Sequence, residues 1–133
     1  MTDATDLTPE TIMAALIASA ETLRRLPKGG IQNRLTRWPE VVRSSAELFM
    51  GEKHARNRLS PPEPAAIDRM DVVLTWLLPL SVDQRRILWA RACGVAWRRL
   101  EDMDGRSHVT LRKIYNEGLA AIQKALRGVT VAA

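Results

Sequence analysis

Three consecutive pieces of the chain decide how it folds: Trp97-Arg98-Arg99-Leu100-Glu101-Asp102-Met103, the break Asp104-Gly105-Arg106-Ser107, and the run beginning His108-Val109-Thr110-Leu111-Arg112-Lys113-Ile114-Tyr115-Asn116 and continuing to Arg127. Two helical segments flank a short break that contains glycine, the pattern of a helix-turn-helix. Stepping 100° per residue from Leu111 places Ile114, Tyr115, Gly118, Leu119, Ile122, Ala125 and Leu126 on one face of the second helix. That face is expected to be buried. The opposite face carries Val109, Lys113, Asn116, Ala120, Lys124 and Arg127, with Arg112 on its flank, Glu117 to one edge and no acid near its beginning.

A helix of this kind enters the DNA major groove by its first two turns, which makes Ser107, His108, Val109, Arg112, Lys113 and Asn116 the candidate contacts. Arginine and lysine can read guanine or hold phosphate, asparagine can pair with adenine, and an exposed valine can lie against a thymine methyl. Ser107 is also suited to cap the helix. Arg106 would reinforce the anion-attracting N-terminus, and Arg98 and Arg99 would grip the backbone while Trp97 and Leu100 pack inward.

Working outward, Ser81-Val82-Asp83-Gln84 is a capping box that opens a helix through Ile87, Leu88 and Ala92 to Gly94. Thr8-Pro9-Glu10 starts another, running to about Leu26 with Ile12, Leu16, Leu23 and Leu26 in its stripe. Residues 27–36 read as a loop, and Trp38-Pro39-Glu40 opens a helix to the region of Arg56 with Val42, Ala46 and Phe49 facing inward. Ser60-Pro61-Pro62-Glu63 matches a further capping box; the helix after it, with Ile67, Met70, Val73, Leu74 and Leu77, is expected to be central, with Pro79 closing it. The fold class is all-α, a bundle of about six helices. Residues 1–78 form a supporting or oligomerising region, 79–127 the helix-turn-helix region and 128–133 a frayed tail.

The 133 residues carry a formal net charge of +5 and contain one cysteine, Cys93, which excludes an intramolecular disulfide framework. With a pI near 10.1, nucleic acid is a plausible partner. The N-terminus lacks the basic and apolar segments of a signal peptide and no run approaches a membrane span, so a soluble cytoplasmic protein without membrane association is expected. His54 and His108 have no ligand-spaced companions, and no nucleophile–base pair, glycine-rich phosphate loop or zincin motif is present. Neither an enzyme nor a cofactor is expected, and Asp102 with Asp104 reads as solvated surface. Trp38, Trp76, Trp89 and Trp97 occupy apolar positions and read as core. Arg34, Arg37, Arg43, Lys53, Arg56 and Arg58 read as a solvated face that could extend a DNA footprint.

Residues 78–127 resemble region four of bacterial sigma factors and related helix-turn-helix regulators. The likeness rests on Leu111-Arg112-Lys113-Ile114, then Gly118-Leu119 and Ile122, and upstream on Leu78-Pro79-Leu80-Ser81 and Gln84-Arg85-Arg86-Ile87-Leu88. It departs at Trp97, where a smaller apolar residue is usual, and at the acidic Glu101-Asp102-Met103-Asp104-Gly105. The whole chain also resembles an uncharacterised bacterial and prophage family through Leu23-Arg24-Arg25-Leu26-Pro27, Trp38-Pro39-Glu40, Arg69-Met70 and Trp76-Leu77. The helix-turn-helix and its exposed basic face lead to the expectation of a phage- or prophage-linked transcriptional regulator that binds double-stranded DNA, while the uncharacterised family carries no activity over. Specific readers of this type pair over two half-sites, so a homodimer through the apolar face of residues 8–26 is expected. The alternatives are a terminase-like packaging adaptor on a larger oligomer, and a sigma-like adaptor that binds RNA polymerase without reading DNA.

Overall fold

The computed structural model describes residues 7–26, 38–51 and 61–132. Among these residues six helices follow one another: α1 (Pro9–Arg25), α2 (Glu40–Gly51), α3 (Pro64–Thr75), α4 (Val82–Ala92), α5 (Trp97–Asp104) and α6 (His108–Ala132). No strand occurs among the described residues. The chain is all-α.

Local chemistry explains most of the boundaries. Thr8 caps α1 by accepting from the Thr11 N–H, Pro9 stands at the first helical position, and Arg24 and Arg25 occupy the last turn, where the helix dipole favours positive charge. At α4 the Ser81 hydroxyl accepts from the Gln84 N–H at 3.2 Å while the Gln84 carboxamide accepts from the Ser81 N–H at 3.1 Å, the reciprocal capping box. The helix ends before Gly94, whose φ of +92° places it in the left-handed region that glycine enters without a Cβ penalty. Arg85 reaches back to the Leu77 and Leu78 carbonyls at 2.8 and 2.6 Å and so secures the tight connection between α3 and α4.

Two helix limits differ from expectation. The third helix begins at Pro64 behind Glu63, which makes no side-chain cap bond; Ser60 lies outside the described residues. Proline at the first helical position has no N–H to lose, and Pro64 holds Glu63 before it extended, at φ −67° and ψ 148°. The last helix passes Arg127 and continues to Ala132, so the C-terminal residues expected to fray extend the helix. The loop at 27–36 and the residues Arg34, Arg37, Lys53, His54, Arg56 and Arg58 lie outside the described residues, as do the side chains of Ala46 and Phe49.

The central element is α1 rather than α3. Its Ile12, Leu16 and Leu23 are fully buried and Ala20 nearly so, and the helix packs against α2, α3, α4 and α6. Helix α3 contributes Met70, Val73, Leu74 and, just beyond its end, Leu77 to the same core; Leu88, Trp89, Leu119 and Ile122 complete it. The α1 stripe is therefore filled by its own chain. A homodimer through the apolar face of residues 8–26 does not fit this packing, because opening that face would expose the core.

Helix α4 has apolar residues on two sides. Leu88, Trp89 and Ala92 enter the main core, while Ile87 joins Leu100 and Leu111 in a smaller one walled by Ala90, Val95, Trp97, Ile114 and Tyr115. Tyr115 touches both clusters. The small core binds α5 to α4 and α6, so the C-terminal pair rests directly on the bundle.

Candidate nucleic-acid interface

Gly105 makes the connection between α5 and α6 possible. Its φ is +90°, and its N–H bonds to the Glu101 carbonyl at 2.8 Å, closing α5 with a left-handed residue. Ser107 then opens α6: its hydroxyl lies 3.4 Å from the Thr110 N–H and 3.3 Å from the Thr110 hydroxyl.

The turn between these caps is held by charge. The Arg106 guanidinium donates to both carboxylate oxygens of Asp104, at 2.6 and 2.9 Å, and reaches Asp83 at the start of α4 at 3.2 Å. Its hydrogen bonds hold the Asp104 carboxyl below the usual carboxylate range, assisted by the nearby Arg86 charge. The same bonds raise the guanidinium further above its already high range. Arg106 therefore ties the turn to α4, and its donors point to acids of its own chain. His108 is likewise engaged, its Nδ1 3.3 Å from Glu101 Oε1 on the preceding helix. Of the acids in the stretch from Glu101 to Asp104, Asp104 and Glu101 thus have partners within the motif.

On α6 the expected division of faces is present with one change. Leu111, Gly118, Leu119 and Ile122 are buried, and Ile114, Tyr115 and Leu126 are partly so. Ala125, expected inside, is exposed, while its neighbour Leu126 packs against the main core. The opposite side presents His108, Val109, Arg112, Lys113, Asn116, Ala120, Lys124 and Arg127 to solvent, with Val109 at 68% of its free exposure. Arg98 and Arg99 are exposed on α5, while Leu100 is buried as expected.

One constellation had no signal in the sequence. The Trp97 ring meets Tyr115 edge to face at a centroid distance of 5.2 Å, and it carries two guanidinium groups, Arg91 at 4.8 Å and Arg112 at 5.3 Å from its centroid. Arg91 is further fixed by donating to the Val95 carbonyl at 2.8 Å. These four residues come from α4, α5 and α6, and no spacing rule relates them. Burial also raises the Tyr115 hydroxyl above its ordinary range, with the positive charge of Arg91 opposing it.

A cavity of about 600 Å³ opens beside the turn, between α2, α4, α5 and α6, with Ile87, Ala90, Val95, Leu100 and Leu111 among its apolar walls and Arg86 and Arg106 among its polar ones. No group of three or more His, Cys, Asp or Glu side chains among the described residues is arranged to hold a metal ion. No helix among them is long and apolar enough to cross a membrane.

The sequence model of one family, Domain of unknown function (DUF6362), matches residues 24–122. The chain belongs to the DUF6362 family. The match reaches from the last turn of α1 to Ile122 of α6, so it covers α5, the turn and the part of α6 that carries Val109, Arg112, Lys113 and Asn116. It agrees with the whole-chain resemblance to an uncharacterised family. No curated protein and no solved structure matches the chain.

Proposed function

We propose that the chain is a DNA-binding protein that lays the first two turns of α6 in the major groove, most simply as a transcriptional regulator. The observation that carries this reading is the orientation of α6. Leu111, Gly118, Leu119 and Ile122 anchor one side in the two cores, which leaves Val109, Lys113 and Asn116 projecting together from the other. A helix so held presents a methyl group, an ammonium and an amide at a solvent-facing end, a set suited to base edges and phosphates. The resemblance of residues 78–127 to sigma region four supports the same role, as does the net charge of +5.

Within this reading Arg98 and Arg99 serve as phosphate contacts, Ser107 and His108 lie at the helix entry, and Arg106 acts through its tie to α4. A dimer that places two such helices one helical turn of DNA apart would have to form through a surface other than the apolar stripe of α1. Light scattering distinguishes that dimer from the larger ring expected of a packaging adaptor.

The test is fluorescence anisotropy with duplex DNA, paired with selection of bound sequences from a random duplex pool. Wild-type protein is expected to bind with an affinity that falls steeply with salt, and an Arg112→Ala/Lys113→Ala double variant to bind markedly more weakly. Equal, weak binding of the two proteins at every salt concentration would overturn the reading.

A second reading has an observation of its own. Met103 and Val109, 70% and 68% exposed, flank the turn and offer apolar surface suited to a protein partner such as RNA polymerase. Retention of polymerase in a pull-down, with no duplex binding at low salt, would favour it.

A further inference from the structure

We infer that Trp97 positions Arg112 as a phosphate clamp at the edge of the reading face, leaving base recognition to Val109, Lys113 and Asn116. The inference rests on the DNA-binding reading and divides its residues by role.

Arg112 and Lys113 are adjacent in sequence and both exposed, yet their surroundings differ. The Arg112 guanidinium lies 5.3 Å from the centroid of the Trp97 ring, drawn toward the flank of α6 that faces α5. Tyr115, one turn further along α6, braces the same ring edge to face, so the platform is rigid on the side of α6 from which Arg112 extends. An arginine held over an aromatic face loses freedom of movement while its N–H donors remain available to an anion. The side chain is thereby turned toward the shoulder of the motif and away from the line through Val109, Lys113 and Asn116.

The charge at that shoulder suits phosphate. Arg91 sits 4.8 Å from the same ring centroid, so one indole supports two guanidinium groups, and Arg98 and Arg99 are exposed on the helix that carries the ring. Two like charges on one aromatic ring repel each other, and an anion brought beside them would relieve that repulsion. A phosphate oxygen needs no base identity, and contacts of this class fix register rather than sequence. Arg91 is tethered to the Val95 carbonyl and supplies field; Arg112 has the reach to bond the phosphate.

The two roles differ in salt dependence and in sequence discrimination. Anisotropy titrations across salt concentration are run on the duplex enriched from the random pool and on a scrambled duplex of the same composition. The proteins are wild type, Arg112→Ala, Lys113→Ala, Trp97→Leu, Trp97→Phe and the Trp97→Leu/Arg112→Ala double variant, each checked for helical content by circular dichroism. Arg112→Ala is expected to weaken both duplexes by the same factor and to flatten the plot of log affinity against log salt by about 0.9. Trp97→Leu should flatten the slope in the same direction and weaken binding about two- to fivefold, the range of an exposed cation–π contact, while Trp97→Phe retains most of the affinity. The double variant should bind no more weakly than Arg112→Ala alone, which a merely structural role for Trp97 would not produce. Loss of discrimination at one base pair on Arg112→Ala, or a folded Trp97→Leu protein with the wild-type slope, overturns the inference while DNA binding stands. Failure of wild-type protein to bind either duplex overturns the DNA-binding reading and this division of roles with it.

Discussion

Gly118 of α6 lies against Leu88 of α4 so closely that a Cβ at position 118 would sit 2.8 Å from Leu88 Cδ1 and 3.3 Å from Gln84 Cβ. Leu88 is fully buried, so a shift of its methyl group has to be taken up by the close-packed core around it, and Gln84 Cβ on the helix wall has no freedom to turn away. Glycine inside a helix costs about 1 kcal/mol relative to alanine, and here that loss permits the approach of α4 to α6 that orients the exposed face.

Gly118→Ala is therefore expected to destabilise despite its better helix propensity. The propensity gain of about 1 kcal/mol opposes an overpacking cost of about 1–3 kcal/mol, and the clash should prevail by about 1 kcal/mol. Gly118→Val should cost more, because its additional carbons meet the same wall. Urea unfolding curves check both, and an alanine variant with a midpoint above the wild type would contradict this account of the crossing.

The Arg106–Asp104 pair predicts a pH dependence. Arg106 lowers the Asp104 carboxyl from its ordinary 3.8 in the folded protein. The folded state therefore binds the proton less readily than the unfolded chain. The contribution of the pair is fully present above the ordinary carboxylate range and is lost as pH falls from about 4 through the lower folded value. Asp104→Asn should be less stable than wild type at neutral pH, and the difference should shrink as the solution is acidified below pH 4. A constant gap down to the acid transition would contradict the pairing.

Ser45 joins α2 to α4 through one hydroxyl, which donates to the Val42 carbonyl at 2.8 Å and accepts the Trp89 indole N–H at 2.7 Å. Trp89 is 1% exposed, so Ser45→Ala leaves a buried donor without its partner. A loss of about 1–2 kcal/mol is expected by urea unfolding. Trp89→Phe in the Ser45→Ala background should remove most of the hydroxyl-dependent part of that loss, since no indole N–H then remains; a fully additive double variant would argue against the bond.

Cys93 lies near the end of α4, where burial pushes its thiol up to about 11 against the opposing charge of Arg24. Arg24 also donates to the Cys93 carbonyl at 2.7 Å, bracing α1 against α4. At pH 8 the native thiol should react with a disulfide reagent about 100-fold more slowly than in urea, because the thiolate is the attacking species. Comparable rates in the two states would show the thiol to be open to solvent.

Several of these features are legible in the residues themselves. Thr8-Pro9, Ser81 with Gln84, and Gly105 between two apolar periodicities mark helix limits through chemistry confined to four or five residues, and the structure keeps each of them. The exposed set of Val109, Lys113 and Asn116 follows from a single helical period anchored on Leu111, which is fully buried. The opening of α3 is different. The capping-box pattern at Ser60–Glu63 points to an earlier start, and the helix begins at Pro64, whose ring suits the first helical position.

What the sequence determined by itself was the class of fold, the order of the helices and the outward face of α6, because propensity, capping and periodicity act over one or two turns. Tertiary structure decided which stripe became the centre. The apolar face of α1 is as suited to a second chain as to its own, and only packing against α3, α4 and α6 shows that it is already filled. It also decided the company of the charged residues. Arg106 reads as a free cation at a helix entrance, yet it is bound to Asp104 beside it and Asp83 twenty-three positions earlier. Arg112 reads as an equal of Lys113, yet Trp97, fifteen positions away on another helix, draws it aside. Such pairings depend on how helices cross, and helix crossing is set by the shapes that meet, among them the missing side chain of Gly118.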